Sequence, residues 1–511
     1  MSLFSASSRV SVRDNLALLC LAALAIGLVV VRMRVQSITI DEANVALGYV
    51  IDPRPMQWTP TDENHVLSTA LERLTLSVFP LSELTIRIPA LLGATLYICA
   101  ALSFCLRLTT RKILQLPLFL CLVLNPLILD FLVIARGYCL AMGFLLAAIT
   151  LIADTLLGDE STAVQANLRS RCVWVSVLAA LSVASNFAFT IVNAATLLLF
   201  CLWAAKRFGK GFASLAASCF LPGLAIGLVL CLTALWNPIS HVDPAVGTRS
   251  LREMWRIMVA ASFDNLNPEV VNPLLLVWTS HIRLVLPYLS VVAFVVLLAG
   301  VAIRRRDPAD THAHRLWSLA RLLASIAALT LLLHWIALRT LHILLPKGRA
   351  SLFLVLLLTL LFGVALAFWV HSTGRRAWSV VSGFGTAVLL AVAIYFIGCL
   401  RMTYFEEWRY DSATRQLYWI LTGLHERCGI TRFAVDWRYH SPVNFYRAAY
   451  GRYSLPEFPM VPSSDIPADR DAYALFYSTS EYLIQSQRLQ VVYHDDESGA
   501  AIAIRQCEAS K

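Results

Sequence analysis

The sequence predicts an α-helical, multi-pass membrane protein with a small C-terminal α/β domain. Only 14% of the 511 residues are charged and 58% are hydrophobic, whereas a soluble domain has about 25% charged residues. About eleven apolar runs have the length of roughly 20 residues that crosses the hydrocarbon core of a bilayer. The segment after Arg401 differs from these runs, because short alternating patterns typical of strands and helices replace long apolar stretches.

The predicted spans follow from hydropathy. Arg32 and Arg34 follow the first run where a cleavage site would need small residues, which favours an uncleaved first span over a signal peptide. The predicted spans are 15–35, 85–107, 113–133, 137–157, 172–185, 187–205, 212–236, 284–303, 316–338, 350–370 and 378–400. The fifth is short, and residues 184–186 predict a tight external turn after it.

Basic residues lie in alternate loops, which predicts the orientation by the positive-inside rule. The N-terminus is then cytoplasmic, in the plasma (inner) membrane. An odd number of spans places the C-terminal domain on the extracytoplasmic side. The basic loops contain Arg9 and Arg13; Arg107, Arg111 and Lys112; Arg169 and Arg171; Lys206, Arg207 and Lys210; Arg304, Arg305 and Arg306; and Arg375 and Arg376.

Two units are expected: a transmembrane module, 1–400, with external loops 36–82 and 237–283, and an external α/β domain, 401–511. Within the domain we predict strands at 432–436 and 473–477, helices at 442–449 and 481–487, and a hairpin of 489–493 with 500–504. Of the twelve cysteines, only Cys428 and Cys507 lie well outside the apolar runs. An oxidising compartment would allow these two to pair, and two free thiols are the alternative.

The net charge of +10 does not indicate nucleic acid, because the cations sit in membrane-flanking loops and no nucleic-acid-binding signature occurs. The chain also lacks a CxxC pair of the kind that binds zinc.

Two adjacent carboxylates, Asp41 and Glu42, follow the first span. A carboxylate at a membrane interface is costly without a partner or a task. The alternative is a helix N-terminus that Asp41 caps and Glu42 stabilises through the helix dipole. Farther on, His65 begins an amphipathic helix over 66–78, which is too short and too charged to span and is expected along the interface. His65 is either a solvated loop residue or part of a site.

Several further polar residues are predicted at the same external boundary. Asp130 and Arg136 either pair with each other or mark a bound anion. Arg339 and His342 are three apart and predicted to share a helix face, and Lys347 and Arg349 follow. These external cations either snorkel to the interface or hold a phosphate, for which the arginine fork is well suited.

Four elements of residues 36–160 resemble the GT-C glycosyltransferases of the protein O-mannosyltransferase and aminoarabinose transferase type (glycosyltransferase family 39-like). They are the acidic pair Asp41-Glu42, Asn64-His65 followed by Leu67 and Leu71, residues 82–93 (SELTIRIPALLG), and residues 135–140 (ARGYCL). The later Lys347-Gly348-Arg349 is similar to a basic element of that family, but Ala350 stands where the family has a tyrosine.

The resemblance implies transfer of a sugar from a polyprenyl-phosphate donor to an acceptor protein, lipid or glycan at the external face, with inversion. Asp41 would be the general base and Glu42 its catalytic support. The substrate-binding residues would be His65, Asp130, Arg136, Tyr138, Arg339, His342, Lys347 and Arg349. A phosphate leaving group does not require a metal. A divalent ion stays open, with Asp41, Glu42, Asp130 and His65 as its candidate ligands.

Two other functions compete with transfer. A transporter or flippase of lipid-linked sugars would place polar residues near the midplane of the membrane, whereas these gather at one interface. A scaffold or receptor would leave both the acidic pair and the external cations unexplained. The oligosaccharyltransferase branch is disfavoured, because residues 408–411 (WRYD) are not its WWD-type motif.

Overall fold

The computed structural model describes residues 12–51, 64–158, 162–208, 211–236, 247–264, 266–272, 281–303, 311–371, 376–451, 455–461, 467 and 469–505. Long helices fill the chain up to Gly398, and a five-stranded sheet with three flanking helices follows.

The helices up to the sheet are α1 Val12–Val35, α2 Ile40–Val45, α3 Val66–Leu76, α4 Glu83–Leu108, α5 Lys112–Leu124, α6 Pro126–Phe131, α7 Tyr138–Leu157, α8 Thr162–Ser185, α9 Thr190–Phe208, α10 Phe212–Trp236, α11 Leu251–Ser262, α12 Ile282–Ile303, α13 Thr311–Leu341, α14 Leu352–His371 and α15 Arg376–Gly398. Within the described residues, ten helices are long and apolar enough to cross a membrane. The prediction of a multi-pass, mostly helical membrane protein is confirmed.

The third predicted span is not one continuous helix. It divides into α5, of 13 residues, and the short α6, because Pro126 has no N–H to continue the ladder. The side chain of Asn125 caps α6 by accepting from the N–H groups of Leu127 and Ile128, at 3.1 and 3.3 Å. Hydropathy does not register such a break, since both halves are equally apolar.

Helices α5 and α6 together extend along the length of α1. At its start Lys112 donates to Asn15 Oδ1 at 2.5 Å, and at its end Asp130 accepts from Arg32 Nη2 at 2.6 Å. Asn15 and Arg32 are 17 residues apart on one helix, or about 26 Å. The pair α5–α6 therefore connects the same two levels as the long helices beside it.

Other boundaries also differ from the predictions. The fifth predicted span is part of α8, a full 24 residues, which hydropathy shortened because its first turns are polar. Asn186 then caps the tight turn Phe187–Phe189 by accepting from Ala188 N–H at 3.0 Å. The amphipathic helix after His65 is α3, of 11 residues, as expected for a helix too short to span.

The C-terminal segment forms the predicted α/β unit. Its elements are α16 Thr414–Cys428, β1 Phe433–Asp436, α17 Trp437–Ala449, β2 Met460–Val461, β3 Ala472–Phe476, α18 Tyr477–Ser486, β4 Gln490–His494 and β5 Ala500–Ile504. The strand order is β2-β1-β3-β5-β4. Strand β1 is parallel to β2 and β3, whereas β5 is antiparallel to both β3 and β4. Helix α16 and strand β2 were not predicted.

One apolar core joins the C-terminal unit to residues 36–51, the segment that follows α1. Ile38, Ala43 and Ala46 are buried in the same cluster as Leu417 of α16 and Tyr446 of α17. A polar contact reinforces it, since Ile38 N–H donates to the Tyr446 hydroxyl at 3.0 Å and that hydroxyl donates to Glu83. The C-terminal unit therefore rests directly on the segment that carries Asp41.

Cys428, at the end of α16, is disulfide-bonded. The ten described cysteines other than Cys428 are free. Cys507, its predicted partner, lies outside the described residues.

Candidate active site

The acidic pair begins the short helix α2. Thr39 is its N-cap: the Thr39 hydroxyl accepts from the Glu42 N–H, and the Glu42 carboxylate accepts from the Thr39 N–H at 3.0 Å. This reciprocal capping box satisfies two backbone donors that a helix start would leave unpaired. In the alternative that gave the acidic pair a capping role, Asp41 was the cap. The N-cap is instead Thr39, two residues earlier, and the Asp41 side chain is left available for other contacts.

Glu42 is buried in an ion pair with Arg87 of α4. Arg87 donates to both carboxylate oxygens, at 2.8 and 2.7 Å, and neither side chain is exposed. Burial alone would raise the pKa of Glu42, but the charge and hydrogen bonds of Arg87, with backbone N–H groups of Ala135 and Thr39, lower it below its ordinary value. The carboxylate is therefore ionised, and both of its oxygens accept from protein donors. Its predicted role as a support of Asp41 stays a prediction.

Asp41 instead faces two other arginines. Its Oδ2 accepts from Arg349 Nη1 at 2.6 Å and lies 3.4 Å from Arg136 Nη1. The Asp41 side chain keeps 18% of its surface exposed. The structure therefore joins three residues that the sequence predicted separately, and it puts the acidic and cationic groups in direct contact.

Asp130 and Arg136 do not pair with each other, so the first of the two alternatives for these residues is wrong. Asp130 Oδ1 accepts from Arg32 at 2.6 Å, and its Oδ2 accepts from the backbone N–H of Glu406 at 3.1 Å. The physical reason is where each residue lies. Asp130 is at the end of α6, where its side chain points toward the last turn of α1, whereas Arg136 lies beyond a further turn and contacts α2.

His65 and Tyr138 form a buried wall beside these charges. Their rings meet edge to face at 5.6 Å, and His65 Nε2 lies 3.3 Å from the side-chain nitrogen of Asn186. Burial, then the charges of Arg136 and Arg349, lower the pKa of His65 well below its ordinary value, so the imidazole is neutral.

The glycine between Arg136 and Tyr138 makes this wall possible. Gly137 has a φ of +69°, and a Cβ there would lie 2.2 Å from the carbonyl oxygen of Ser185 and 3.1 Å from the Cβ of His65. A side chain at this position would therefore push the start of α7 away from the end of α8 and would also displace His65.

A charged cleft of about 620 Å³ opens beside Arg349. Its apolar side comes from the start of α6 and one face of α11. The charged residues that line it are four cations and four carboxylates: Arg256, Arg283, Lys347 and Arg349; and Asp130, Asp264, Glu406 and Glu407. Cations and anions are equal in number, but Asp264 and Glu406 are both held by Arg401, which does not line the cleft, at 2.6 and 3.3 Å.

Residues 404–411, which follow the last long helix, complete the site, and they were not predicted as part of it. Glu407 accepts from Arg349 Nη1 at 3.2 Å, and the Arg349 guanidinium lies 5.4 Å from the centre of the Trp408 ring. The Tyr404 carbonyl oxygen accepts from Gln36 at 2.7 Å, and Asp411 accepts from Ile40 N–H at 2.7 Å. The concentration of Glu, Trp and Arg in residues 406–411 was visible, but nothing local tied it to residues 36–42.

An apolar cavity of about 490 Å³ lies on the other face of α11. Trp255, Met258, Val259 and Ser262 of α11 line this cavity, whereas Arg256, Ile257, Ala260 and Ala261 line the charged cleft. The apolar cavity and the charged cleft meet at the break between α5 and α6, since Asn125 lines the cavity and Pro126 lines the cleft.

Arg339 and His342 do not join this site. They line a separate cavity with Arg249 and Leu338. They do not share a helix face either, because α13 ends at Leu341 and His342 has left-handed backbone geometry, with a φ of 57°. The prediction that both contact the same phosphate as Arg349 is therefore corrected.

The four candidate metal ligands are not brought together as a metal site. Among the described residues no group of three or more His, Cys, Asp or Glu side chains is placed to hold a metal ion. Asp41, Glu42 and Asp130 each face an arginine instead.

No family model matches the sequence, and no curated protein matches it. Two solved structures are similar over nearly the whole chain. ArnT from Cupriavidus metallidurans in the apo state is 12% identical with a TM-score of 0.38, over 95% of this chain and 97% of that one. The same protein bound to undecaprenyl phosphate is 13% identical with a TM-score of 0.42, over 96% and 98%. Likenesses at these TM-scores are weak, and the site residues carry the function proposed below.

Proposed function

We propose that the protein is a membrane glycosyltransferase that moves a sugar from a polyprenyl-phosphate donor to an acceptor on the extracytoplasmic face, with inversion. The observation that carries the proposal is the contact of Asp41, a partly exposed carboxylate, with Arg349 at the edge of the charged cleft. A carboxylate that can act as a base and a cation that can bind phosphate are thus side by side at the cleft, where a donor sugar would lie between them.

The cations of the cleft are suited to the donor phosphate. Lys347 has only a distant partner, Glu253 at 3.8 Å, and Arg256 has no acidic partner within the part of the chain that the structure describes. A bound phosphate would supply the missing negative charge. Arg349 offers a planar fork that matches phosphate oxygens, and Lys347 adds a point charge.

The apolar cavity beside α11 is suited to the polyprenyl chain. It lies among helices α5, α12, α14 and α15, and it meets the charged cleft at Asn125 and Pro126. A lipid whose chain occupies the cavity would therefore present its phosphate to Lys347 and Arg349.

In the proposed reaction Asp41 accepts the proton of an acceptor hydroxyl as that oxygen bonds to the anomeric carbon. The bond from the anomeric carbon to the phosphate oxygen breaks, and its electron pair leaves with polyprenyl phosphate. Negative charge then grows on the phosphate, where Arg349 and Lys347 stabilise it. Donor binding would also draw Arg349 away from Asp41, which frees the carboxylate to act as a base.

Glu42 has a positioning role in this proposal. Its buried pair with Arg87 fixes the start of α2 and so the direction of the neighbouring Asp41. His65 and Tyr138 form the wall on the acceptor side, and the Nδ1 atom of His65, which has no hydrogen-bond partner among the described residues, is available to an acceptor hydroxyl.

A test is transfer of label from polyprenyl-phosphate sugars by the purified full-length protein. Asp41→Asn keeps the shape but removes the base, so transfer should fall about 10²- to 10⁴-fold while donor binding is retained. Asp471→Asn is the matched control, because Asp471 also pairs with an arginine at 2.6 Å but lies in the C-terminal unit.

Wild-type transfer rates in Asp41→Asn would remove Asp41 from the mechanism. The transporter or flippase alternative predicts another result: movement of the lipid-linked sugar across the bilayer of proteoliposomes without transfer to any acceptor. The extracytoplasmic position of the site is tested by cysteine labelling at exposed Glu497 from the outside of intact cells.

A further inference from the structure

A second cationic cavity lies next to the charged cleft. It has a volume of about 540 Å³ and is lined by Arg249, Leu338, Arg339 and His342. A two-stranded bridge separates the two cavities: Thr248 N–H donates to Leu345 O at 3.0 Å, and Leu345 N–H donates to Thr248 O at 2.8 Å. Gly247 and Lys347 line the cleft, whereas Arg249 and His342 line the second cavity.

The charges of this second cavity have no acidic counterpart among the described residues. Neither Arg249 nor Arg339 has an acidic partner within the described residues, and only the Trp335 ring lies near Arg339, at 5.4 Å from its guanidinium. Two guanidinium groups that line one cavity repel each other. An anion bound between them would remove that repulsion.

The backbone at His342 supports a binding role. His342 occupies the left-handed region with a φ of 57°, a conformation that costs free energy for a residue with a Cβ. Strain of this kind is concentrated at ligand-binding positions. Here it turns the chain sharply after α13 and leaves the imidazole at the cavity instead of on the helix.

The segment that carries Arg339 and His342 also has exposed apolar side chains. Trp335, Ile336, Leu341 and Ile343 are each more than 40% exposed on the outside of α13 and just beyond it. Trp335 and Arg339 at the end of an apolar helix mark the membrane interface, where tryptophan and arginine anchor a span. The ligand of this cavity therefore has an anionic group at the interface and apolar chains in the bilayer.

We propose that Arg249, Arg339 and His342 form a binding site for the phosphate headgroup of an anionic membrane lipid, separate from the donor cleft. Arg249 and Arg339 pair with the phosphate oxygens, and the acyl chains lie against Leu341 and Ile343. Independent snorkelling of single cations does not explain the site, because it would not bring residues from two distant segments, 249 and 339–342, to one cavity. This inference does not depend on the proposed transfer reaction.

The test is competitive lipid retention by the full-length protein in detergent, read by native mass spectrometry. Equal amounts of phosphatidylglycerol and phosphatidylcholine are supplied. We expect the wild type to retain phosphatidylglycerol preferentially and Arg249→Gln/Arg339→Gln to lose that preference about thirtyfold, at about 1 kcal/mol per cation. Arg252→Gln is the matched control, because Arg252 is equally exposed and three residues away but does not line the cavity.

An unchanged preference in the double variant would overturn the site. A loss of about fivefold in Arg252→Gln, the size expected for one cation, would overturn it too, since general surface charge would then explain retention. An added arm uses inorganic phosphate as competitor: displacement of phosphatidylglycerol by equimolar phosphate would overturn the lipid assignment, and retention of the lipid supports it. All variants replace exposed side chains, so their unfolding temperatures should equal that of the wild type.

Discussion

Two adjacent carboxylates have opposite surroundings in this protein, and the difference decides what each can do. Glu42 has no exposed surface and is bonded to Arg87, whereas Asp41 is partly exposed and contacts Arg349 and Arg136. Removal of one partner from a fully buried ion pair is strongly destabilising, because the remaining charge then has no opposite charge beside it. The two residues should therefore respond differently to neutral substitution.

For Glu42→Gln we expect a loss of stability of about 3–5 kcal/mol, because Arg87 would remain charged and buried. Unfolding of the purified protein in detergent measures it. Arg87→Met added to Glu42→Gln should recover much of the loss, since no buried charge then remains. Glu497→Gln is the control, because Glu497 pairs with Arg409 at the surface, where such pairs contribute about 1 kcal/mol or less. Equal losses for Glu42→Gln and Glu497→Gln would contradict this account.

Part of the site could be predicted from single residues. Asp41, Arg136 and Arg349 were all predicted, because charges at the boundary of apolar runs stand out in a sequence. Their partners could not be, since the contact of Asp41 with Arg349 joins positions 308 residues apart. Glu407 and Trp408 were missed for the same reason. They lie in a polar region, where a glutamate and a tryptophan are unremarkable.

Among the elements, α3 carries a buried acid of its own. Glu72 is buried on its inner face and accepts from the Ser68 hydroxyl at 2.8 Å. Burial outweighs this bond and raises the pKa of Glu72 to about 8 from an ordinary value of 4.5. At neutral pH the folded protein thus holds a proton that the unfolded chain releases.

Stability should therefore fall as the pH rises from about 4.5 to about 8, at up to about 1.4 kcal/mol per pH unit for this group. The glutamine in Glu72→Gln cannot ionise, so the variant should lack this part of the fall of stability with pH. It should therefore be more stable than the wild type at pH 8 and similar to it at pH 5. Unfolding temperatures across this range measure both. Burial also raises the pKa of Asp411. Asp411 contributes equally to the pH dependence of stability in both proteins, so its effect cancels in the comparison. Parallel curves for the two proteins would argue against a protonated Glu72.

Elements were predicted well where a pattern is local. The strands and the hairpin of the C-terminal unit follow from alternation over four to five residues. The break between α5 and α6 was missed, because apolar residues flank Asn125 and Pro126 on both sides and hydropathy averages over them. That break directs Asp130 toward Arg32, so one proline accounts both for the divided span and for the absence of a pair between Asp130 and Arg136.

In the whole molecule the C-terminal unit and the segment that follows α1 form one packed body. The Tyr446 hydroxyl connects Ile38 N–H and Glu83, and Ile38 lies three residues before Asp41. No sequence pattern predicts this contact, because it joins a polar unit to a loop that precedes it by some 400 residues. It makes the C-terminal unit a support for the site.

Tyr446→Phe should accordingly lower kcat about tenfold, since the loss of a buried acceptor frees Ile38 N–H and loosens the segment that directs Asp41. Tyr473→Phe is the matched control. Tyr473 is also buried and donates to Pro467 O at 2.9 Å, but it packs in the other apolar cluster of the sheet. Both variants should lose similar stability, and only Tyr446→Phe should lose activity. Equal activity in the two would show that the support is not needed for turnover.

The contact between residues 404–411 and the start of the chain also has a consequence for biosynthesis. Arg32 and Ile40 leave the ribosome early, whereas Asp411, which accepts from Ile40 N–H, and Glu407, which accepts from Arg349, are translated after the last apolar helix. During insertion the nascent chain therefore carries an incomplete site. The site can form only after all helices have been inserted into the bilayer and the C-terminal unit has reached the same side of the membrane as Asp41.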